Sequence, residues 1–428
     1  MAADWQDTTL GSVTDFLSGG TPSKDRAEYW VGTIPWVSAK DMKRFRLDDS
    51  EDHVSAEGAI NGTRTVPAGS VLLLARGMTL LNDVPICVAN RPVTFNQDVK
   101  ALRPKPGTRQ EFLPYLLLGN KDRLLGLVDL AGHGTGRLNS DELKALEIKL
   151  PPDREQRAIA HILGTLDDKI ELNRKMNETL EATARALFKS WFVDFDPVRA
   201  KAEGRDPGLP PRVADLFPDS FEDSELGEIP AGWEIRSLDL VATYLNGLAL
   251  QKYPPVDENW LPVIKIAQLR AGHSSGADRA SSNVPSAYVV QDGDVLFSWS
   301  GSLEVEIWCG GPGALNQHLF KVTSSEFPKW FYYYWTREHL SEFRSIAAGK
   351  ATTMGHIQRG HLTAAKALVP REPLLDTMDH LMSPLLDRVL AARLQSRTLA
   401  ALRDSLLPKL ISGELRVTDP ESFVERAV

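Results

Sequence analysis

The chain has 428 residues, 42% hydrophobic and 25% charged, the balance of a globular protein with room for two or three domains. No run of about 18 apolar residues occurs, which excludes a membrane-spanning helix, and a net charge of −8 argues against a bare, non-specific nucleic-acid binder. Two cysteines, Cys87 and Cys309, cannot build a disulfide framework or a zinc site and are expected to be reduced core thiols.

Met1–Leu10 carries Asp4 and Asp7 and no apolar stretch, so it is not a secretory signal, and a cytoplasmic location is expected. Residues 1–152 then form a first globular region. It holds a dense basic run, Lys40, Lys43, Arg44 and Arg46. A turn at Gly69 leads into a buried strand, Val71–Leu74, followed by Arg76 and Thr79. Further on come Asn96-Gln97, an aromatic-rich helix from Phe112, and a Gly-rich loop from Gly132 to Arg137. The acidic start of Asp141-Glu142-Leu143-Lys144 reads as a helix N-terminus capped by Ser140.

From 153 to 192 the apolar spacing changes. Ile159, Leu163, Leu166, Ile170, Asn173, Asn177, Leu180, Ala184, Leu187 and Trp191 step by four and three, a heptad seam on one long helix. Residues 193–230 are of different composition: an acidic, proline-rich stretch expected to be an ordered but irregular connector. It contributes most of the net charge, since residues 151–229 hold 11 basic and 17 acidic side chains.

Residues 231–370 repeat the first region's landmarks in the same order. Trp233 corresponds to Trp5, and the Gly293 turn with its strand to Gly69 and Val71–Leu74. Asn316-Gln317 corresponds to Asn96-Gln97, the aromatic stretch from Phe327 to the one from Phe112, and Gly349–Thr353 to the earlier Gly-rich loop. A second helix is expected over 371–412, followed by a tail, 413–428. Adding 219 to the first seam gives Met378, Met382, Leu385, Val389, Ala392, Ser396, Leu399, Arg403, Leu406 and Leu410, so the seams are in register. Each apolar stripe needs a partner, and each helix is the other's, with the polar middle fixing register. Pro384 either starts the second helix near Ser383 or kinks it.

The architecture resembles the specificity subunit of Type I restriction-modification systems. The likeness is carried by Gly19-Gly-Thr-Pro-Ser23 with Tyr29–Trp36, by Leu150–Arg157, by Gly227–Trp233, by Gly293–Ser302 with Gly313–Lys321, and by Leu406–Leu415. The resemblance implies an α/β (α+β) fold. Two similar target recognition domains would be separated by two long antiparallel coiled-coil helices, a pseudo-twofold internal repeat. It also implies a non-catalytic chain reading the two halves of a split sequence in double-stranded DNA. Two methyltransferase subunits would dock on it, and restriction-translocase subunits would join them. S-adenosylmethionine is expected on the methyltransferase and no cofactor or metal in this chain. The 33 residues from Ile159 to Trp191 span about 50 Å as helix, enough to serve half-sites one duplex turn (about 34–36 Å) apart.

Cations and amides mark the candidate DNA contacts: Lys40, Lys43, Arg44, Arg46, Arg76, Thr79 and Arg137 in the first domain, and Lys265, Gln268, Arg270, Ser298, Ser300 and Lys350 in the second. Trp299 reads as core, and Asn96-Gln97 and Asn316-Gln317, shared by both copies, read as scaffold. Two other classes stay open: an orphan scaffold that assembles with methyltransferase subunits without reading a sequence, and a stand-alone nucleic-acid enzyme. The second lacks motifs. Asp194-Phe-Asp-Pro-Val198 misses the double proline and final aromatic of an amino-methyltransferase loop, and Gly349-Lys-Ala-Thr352 is not a phosphate loop.

Overall fold

Gly69 and Gly293 adopt φ of +82° and +89°, where a side chain is disfavoured, and each turn feeds a fully buried strand, Val71–Leu74 and Val295–Ser298. The computed structural model describes residues 5–131, 134–256, 258–349 and 355–417. Of the described residues 42% are helical and 25% are in strands. It divides into one unit of residues 1–171 with 398–428 and another of residues 172–397.

In the first unit, Gln6–Thr9 pairs antiparallel with Glu147–Leu150. A mixed four-stranded sheet follows the order Asp52–Val54, Ile34–Val37, Val93–Phe95, Thr65–Val66, and its central pair is parallel, with Trp36 opposite Thr94. A five-stranded sheet follows the order Thr14–Ser18, Val99–Pro104, Val71–Leu74, Ile86–Ala89, Arg46–Leu47. Leucine and valine side chains from both faces of its central strand fill the core, which continues into Leu113, Leu116 and Leu117 of the helix Leu113–Gly119.

The second unit repeats this topology. Glu234–Ser237 pairs with Lys366–Val369. One sheet runs Arg279–Ser281, Trp260–Ile264, Gly313–Leu315, Val289–Val290, again with a parallel central pair, Val263 opposite Ala314. The other runs Thr243–Asn246, Leu319–Thr323, Val295–Ser298, Val305–Ile307. A very tight backbone approach also recurs. A Cβ on Gly19 would lie 2.1 Å from the Phe95 carbonyl oxygen, and one on Gly247 would lie 2.2 Å from that of Asn316. The duplication therefore extends to strand order, direction and backbone contact.

Four local expectations need correction. The connector is not irregular: it forms helices Asp196–Ala202 and Pro211–Ala214 and a hairpin, Phe221–Ser224 with Gly227–Pro230. Its Phe195, Val198, Phe217 and Ile229 join the second unit's core beside Trp233, while its acidic side chains stay outside. Burying four large apolar groups outweighs the proline-rich composition. The helix Ser140–Ala145 is capped by Asn139, whose side chain accepts from the Asp141 amide at 2.9 Å, and Ser140 lies inside it. The Gly-rich segment ends on a strand, Thr135–Leu138, that pairs with Val128–Ala131. Finally, of the two readings of Pro384, a helix start near Ser383 does not hold. The second long helix runs Glu372–Ser412, because Leu374, Met378 and Met382 pack into the core ahead of the proline, whose own ring is exposed.

The first long helix is Asp153–Phe192, and both long helices cross the boundary between units. In the first unit, Ile159 and Leu163 share a core with Leu406 and Leu410, and Arg403 reaches Asp167 at 2.7 Å. In the second, the Asn173 amide donates to Gln395 Oε1 at 2.9 Å and Ser396 Oγ at 3.3 Å, and Arg393 pairs with Glu181 at 2.7 Å. Partner numbers fall as those of the first helix rise, so the pairing is antiparallel in each unit. Leu166, Asn177, Val389 and Leu399 are buried, and Ile170, Leu180, Leu187 and Leu385 half-buried, with Leu386 taking the deeper place beside Leu385. The charged seam position Arg403 is explained by Asp167, one residue past Leu166.

Candidate nucleic-acid interface

The basic candidates separate by whether a carboxylate already holds them. Lys40 pairs with Asp52 at 2.9 Å and Glu51 at 3.1 Å, and its hydrogen bond to Asp52 is the main reason its ammonium pKa is raised. Arg46 reaches Asp168 on the first long helix at 2.7 Å and lies over the Phe45 ring, so it clamps sheet to helix within the first unit. Lys265 is ion-paired with Asp278, and its backbone N–H donates to Gln268 Oε1 at 3.2 Å. Gln268 therefore closes the first turn of the helix Ile266–Ala271. These four belong to the scaffold first.

Ser298 and Ser300, both candidate DNA contacts, are held inside the fold. Ser298 is fully buried. Its hydroxyl donates to the Ser302 carbonyl and accepts from the Glu304 amide, each at 2.7 Å. Ser300, also buried, bonds the His318 ring at 3.0 Å. Trp299 is half-buried, donates to Asn246 Oδ1 at 2.9 Å and packs on Phe320. Ser298→Ala leaves the Glu304 amide and Ser302 carbonyl without this partner. It is expected to cost about 1–3 kcal/mol in urea unfolding while leaving any sequence preference intact; an altered preference would return Ser298 to the interface.

Asn96 and Asn316 behave as scaffold. Asn96 Oδ1 accepts from the Asp98 and Val99 amides at 3.0 and 3.1 Å, and Asn316 Oδ1 accepts from the His318 amide at 3.2 Å. Each holds the turn between a parallel-sheet strand and the antiparallel strand after it.

What remains exposed is a smaller set. Lys43 and Arg270 are exposed and make no ion pair among the described residues, and Arg44 and Thr79 are exposed. Lys350 lies outside the described residues. Arg76 and Arg137, 61 positions apart in sequence, stand directly opposite each other on antiparallel strands, Arg76–Gly77 and Thr135–Leu138. Both are exposed. One feature escaped the sequence reading: the Arg279 guanidinium lies 4.4 Å from the centroid of the partly exposed Trp260 ring on the neighbouring strand. Only the strand register brings this cation–aromatic pair together, so linear spacing carries no signal for it.

Burial pushes the Cys87 thiol up to about 12 and raises that of Cys309, so both stay protonated at neutral pH. His361 Nδ1 accepts from the Gln358 amide at 3.0 Å, a helix-start contact. Among the described residues no group of three His, Cys, Asp or Glu side chains could hold a metal ion, and no helix is long and apolar enough to cross a membrane.

Comparison with known proteins finds likenesses that run along nearly the whole chain. A family model for the Type I restriction modification DNA specificity domain matches residues 2–182. The MjaIX Type I restriction enzyme specificity subunit of Methanocaldococcus jannaschii is 28% identical over 432 residues, covering 97% of this chain and 94% of that protein. The EcoR124I/EcoR124II specificity subunit of Escherichia coli is 32% identical over 38% of this chain and 41% of its own length. The crystal structure of a Type I restriction-modification S subunit from M. genitalium aligns with a TM-score of 0.54 at 14% identity. It covers 95% of this chain and 96% of that one, a likeness of fold.

Proposed function

This chain belongs to the family of Type I restriction-modification specificity subunits, and from that premise we propose that it recognises an asymmetric, bipartite DNA sequence. It positions methyltransferase subunits on adenines within that sequence. The observation that carries this reading is one fold built twice with unlike exposed side chains. A repeated scaffold with identical readers would serve a palindrome; here the scaffold recurs and the exposed residues do not, so the two half-sites differ. The two long helices set the gap between the halves. Two methyltransferase subunits, which bind S-adenosylmethionine, dock on this chain in the cytoplasm, and the restriction-translocase subunits join through them. The chain itself supplies no catalytic group.

The test is co-expression with the cognate methyltransferase subunits, followed by genome-wide mapping of N6-methyladenine. The expected result is one interrupted motif with two different halves. Assembly of the complex without any such motif would favour an orphan scaffold and overturn the reading.

A further inference from the structure

The three-stranded sheet of the first unit, in the order Val128–Ala131, Thr135–Leu138, Arg76–Gly77, has no second-unit counterpart of the same extent among the described residues. Its two faces differ. Gly136 turns inward: a Cβ there would lie 2.8 Å from Leu80 Cβ, and Leu80 and Leu138 are buried. The other face carries Asp129, Arg137 and Arg76 in one cross-strand row, all three exposed. Neither arginine forms an ion pair or a side-chain hydrogen bond among the described residues, and Asp129 pairs with neither. Directly opposed side chains have Cβ atoms about 5 Å apart, and like charges so placed destabilise a sheet. Among the described residues no ion pair offsets this arrangement, although Asp129 stands opposite Arg137 in the row.

The duplication supplies a second, independent observation. The strands Val71–Leu74 and Val295–Ser298 correspond at an offset of 224, which sets Arg76 against Ser300. The helices Ser140–Ala145 and Arg359–Ala364 correspond at 219, which sets Arg137 against His356. Ser300 and His356 form an antiparallel bridge, the equivalent of the Arg76–Arg137 pairing. The same backbone contact thus bears two guanidinium groups in one copy and a hydroxyl with an imidazole in the other.

We infer that Arg76 and Arg137 read base edges in one half-site of the DNA, and that this half-site contains a guanine. The inference rests on the DNA-reading function proposed above. Phosphates are the same in both half-sites, so a phosphate contact has no reason to change chemistry between copies; a base contact does. The planar arginine fork matches the O6 and N7 acceptors of guanine in the major groove. A Cβ separation near 5 Å lets two such side chains address adjacent base pairs, which rise about 3.4 Å per step. Strands hold the pair: the Leu138 amide donates to the Ala75 carbonyl at 2.9 Å, fixing the row against the buried sheet.

The experiment maps N6-methyladenine for the full chain co-expressed with its methyltransferase subunits, comparing wild type with Arg137→Ala, Arg76→Ala and the charge-keeping Arg137→Lys. The expected result is relaxation at a G·C position in one half of the motif, with methylation of the substituted sequences rising roughly tenfold to a hundredfold and the other half unchanged. Thermal midpoints should stay level or rise, because a like-charge pair is relieved; a structural role would lower them. An unchanged motif in both alanine variants with uniformly weaker methylation, restored by the charge-keeping Arg137→Lys, would make the pair a phosphate contact and overturn the inference. Absence of any bipartite motif for the wild type would instead remove the underlying function.

Discussion

Arg403→Ala is expected to destabilise the first unit by about 3–5 kcal/mol, since it leaves a buried carboxylate without its cation. Asp167 is 4% exposed; its Oδ1 accepts from the Arg403 guanidinium at 2.7 Å and its Oδ2 from the Tyr115 hydroxyl at 2.9 Å. Burial is the largest influence on Asp167 and pushes its carboxyl above the usual range, while Arg403 pulls it back. The pH dependence follows. A carboxyl whose folded pKa is raised penalises the folded state above that pKa and carries no penalty below the unfolded value near 3.8. Without Arg403 the folded pKa rises further, so the variant's deficit should shrink as pH falls from about 8 to about 5. Urea unfolding at several pH values measures this. A deficit independent of pH would mean that Asp167 is not ionised in the folded chain. Replacing the triad together, with Met at 403, Leu at 167 and Phe at 115, should return stability close to wild type, because the cost lies in the orphaned charge.

How much of this was legible beforehand depends on the range of the interaction. Heptad spacing is local, so the seams and their offset of 219 stood out in the sequence. Asp167 did not: it lies just off the seam, and its cation is 236 positions away. The same holds for the candidate interface. Arg46 lies in a basic run, and only the fold brings Asp168, 122 residues on, to hold it. Ser298 looked like a loop residue at a strand end, but the chain folds back to bury it under Ser302 and Glu304. The two arginines stand out singly in the sequence, but their opposition is a matter of strand register, which composition does not encode. At Pro384 the start of the helix is set by the apolar packing of Leu374, Met378 and Met382 ahead of it, not by the proline.

Phe192→Ala should have a comparable effect in the second unit, about 3–5 kcal/mol. The ring ends the first long helix, is 1% exposed, and has centroids of Phe188, Trp233, Trp330 and Phe331 between 5.1 and 5.8 Å away. Its loss opens a cavity walled by stiff aromatic side chains that cannot easily collapse, which places the cost at the upper end for a large-to-small change. Phe188→Leu, a milder truncation in the same cluster, should cost less than half as much. In the proposed function the consequence is specific. Phe192 joins the helix that sets the gap to the core of the second domain, and it touches no exposed candidate reader. Surviving complexes should therefore methylate fewer sites with the same bases in each half, and any error should appear in the length of the gap. Calorimetry of the variant combined with methylome mapping separates these effects. A changed base within either half-site would show that helix anchoring and base reading are not separate functions of this chain, and the division drawn here between shared scaffold and unshared readers would fail with it.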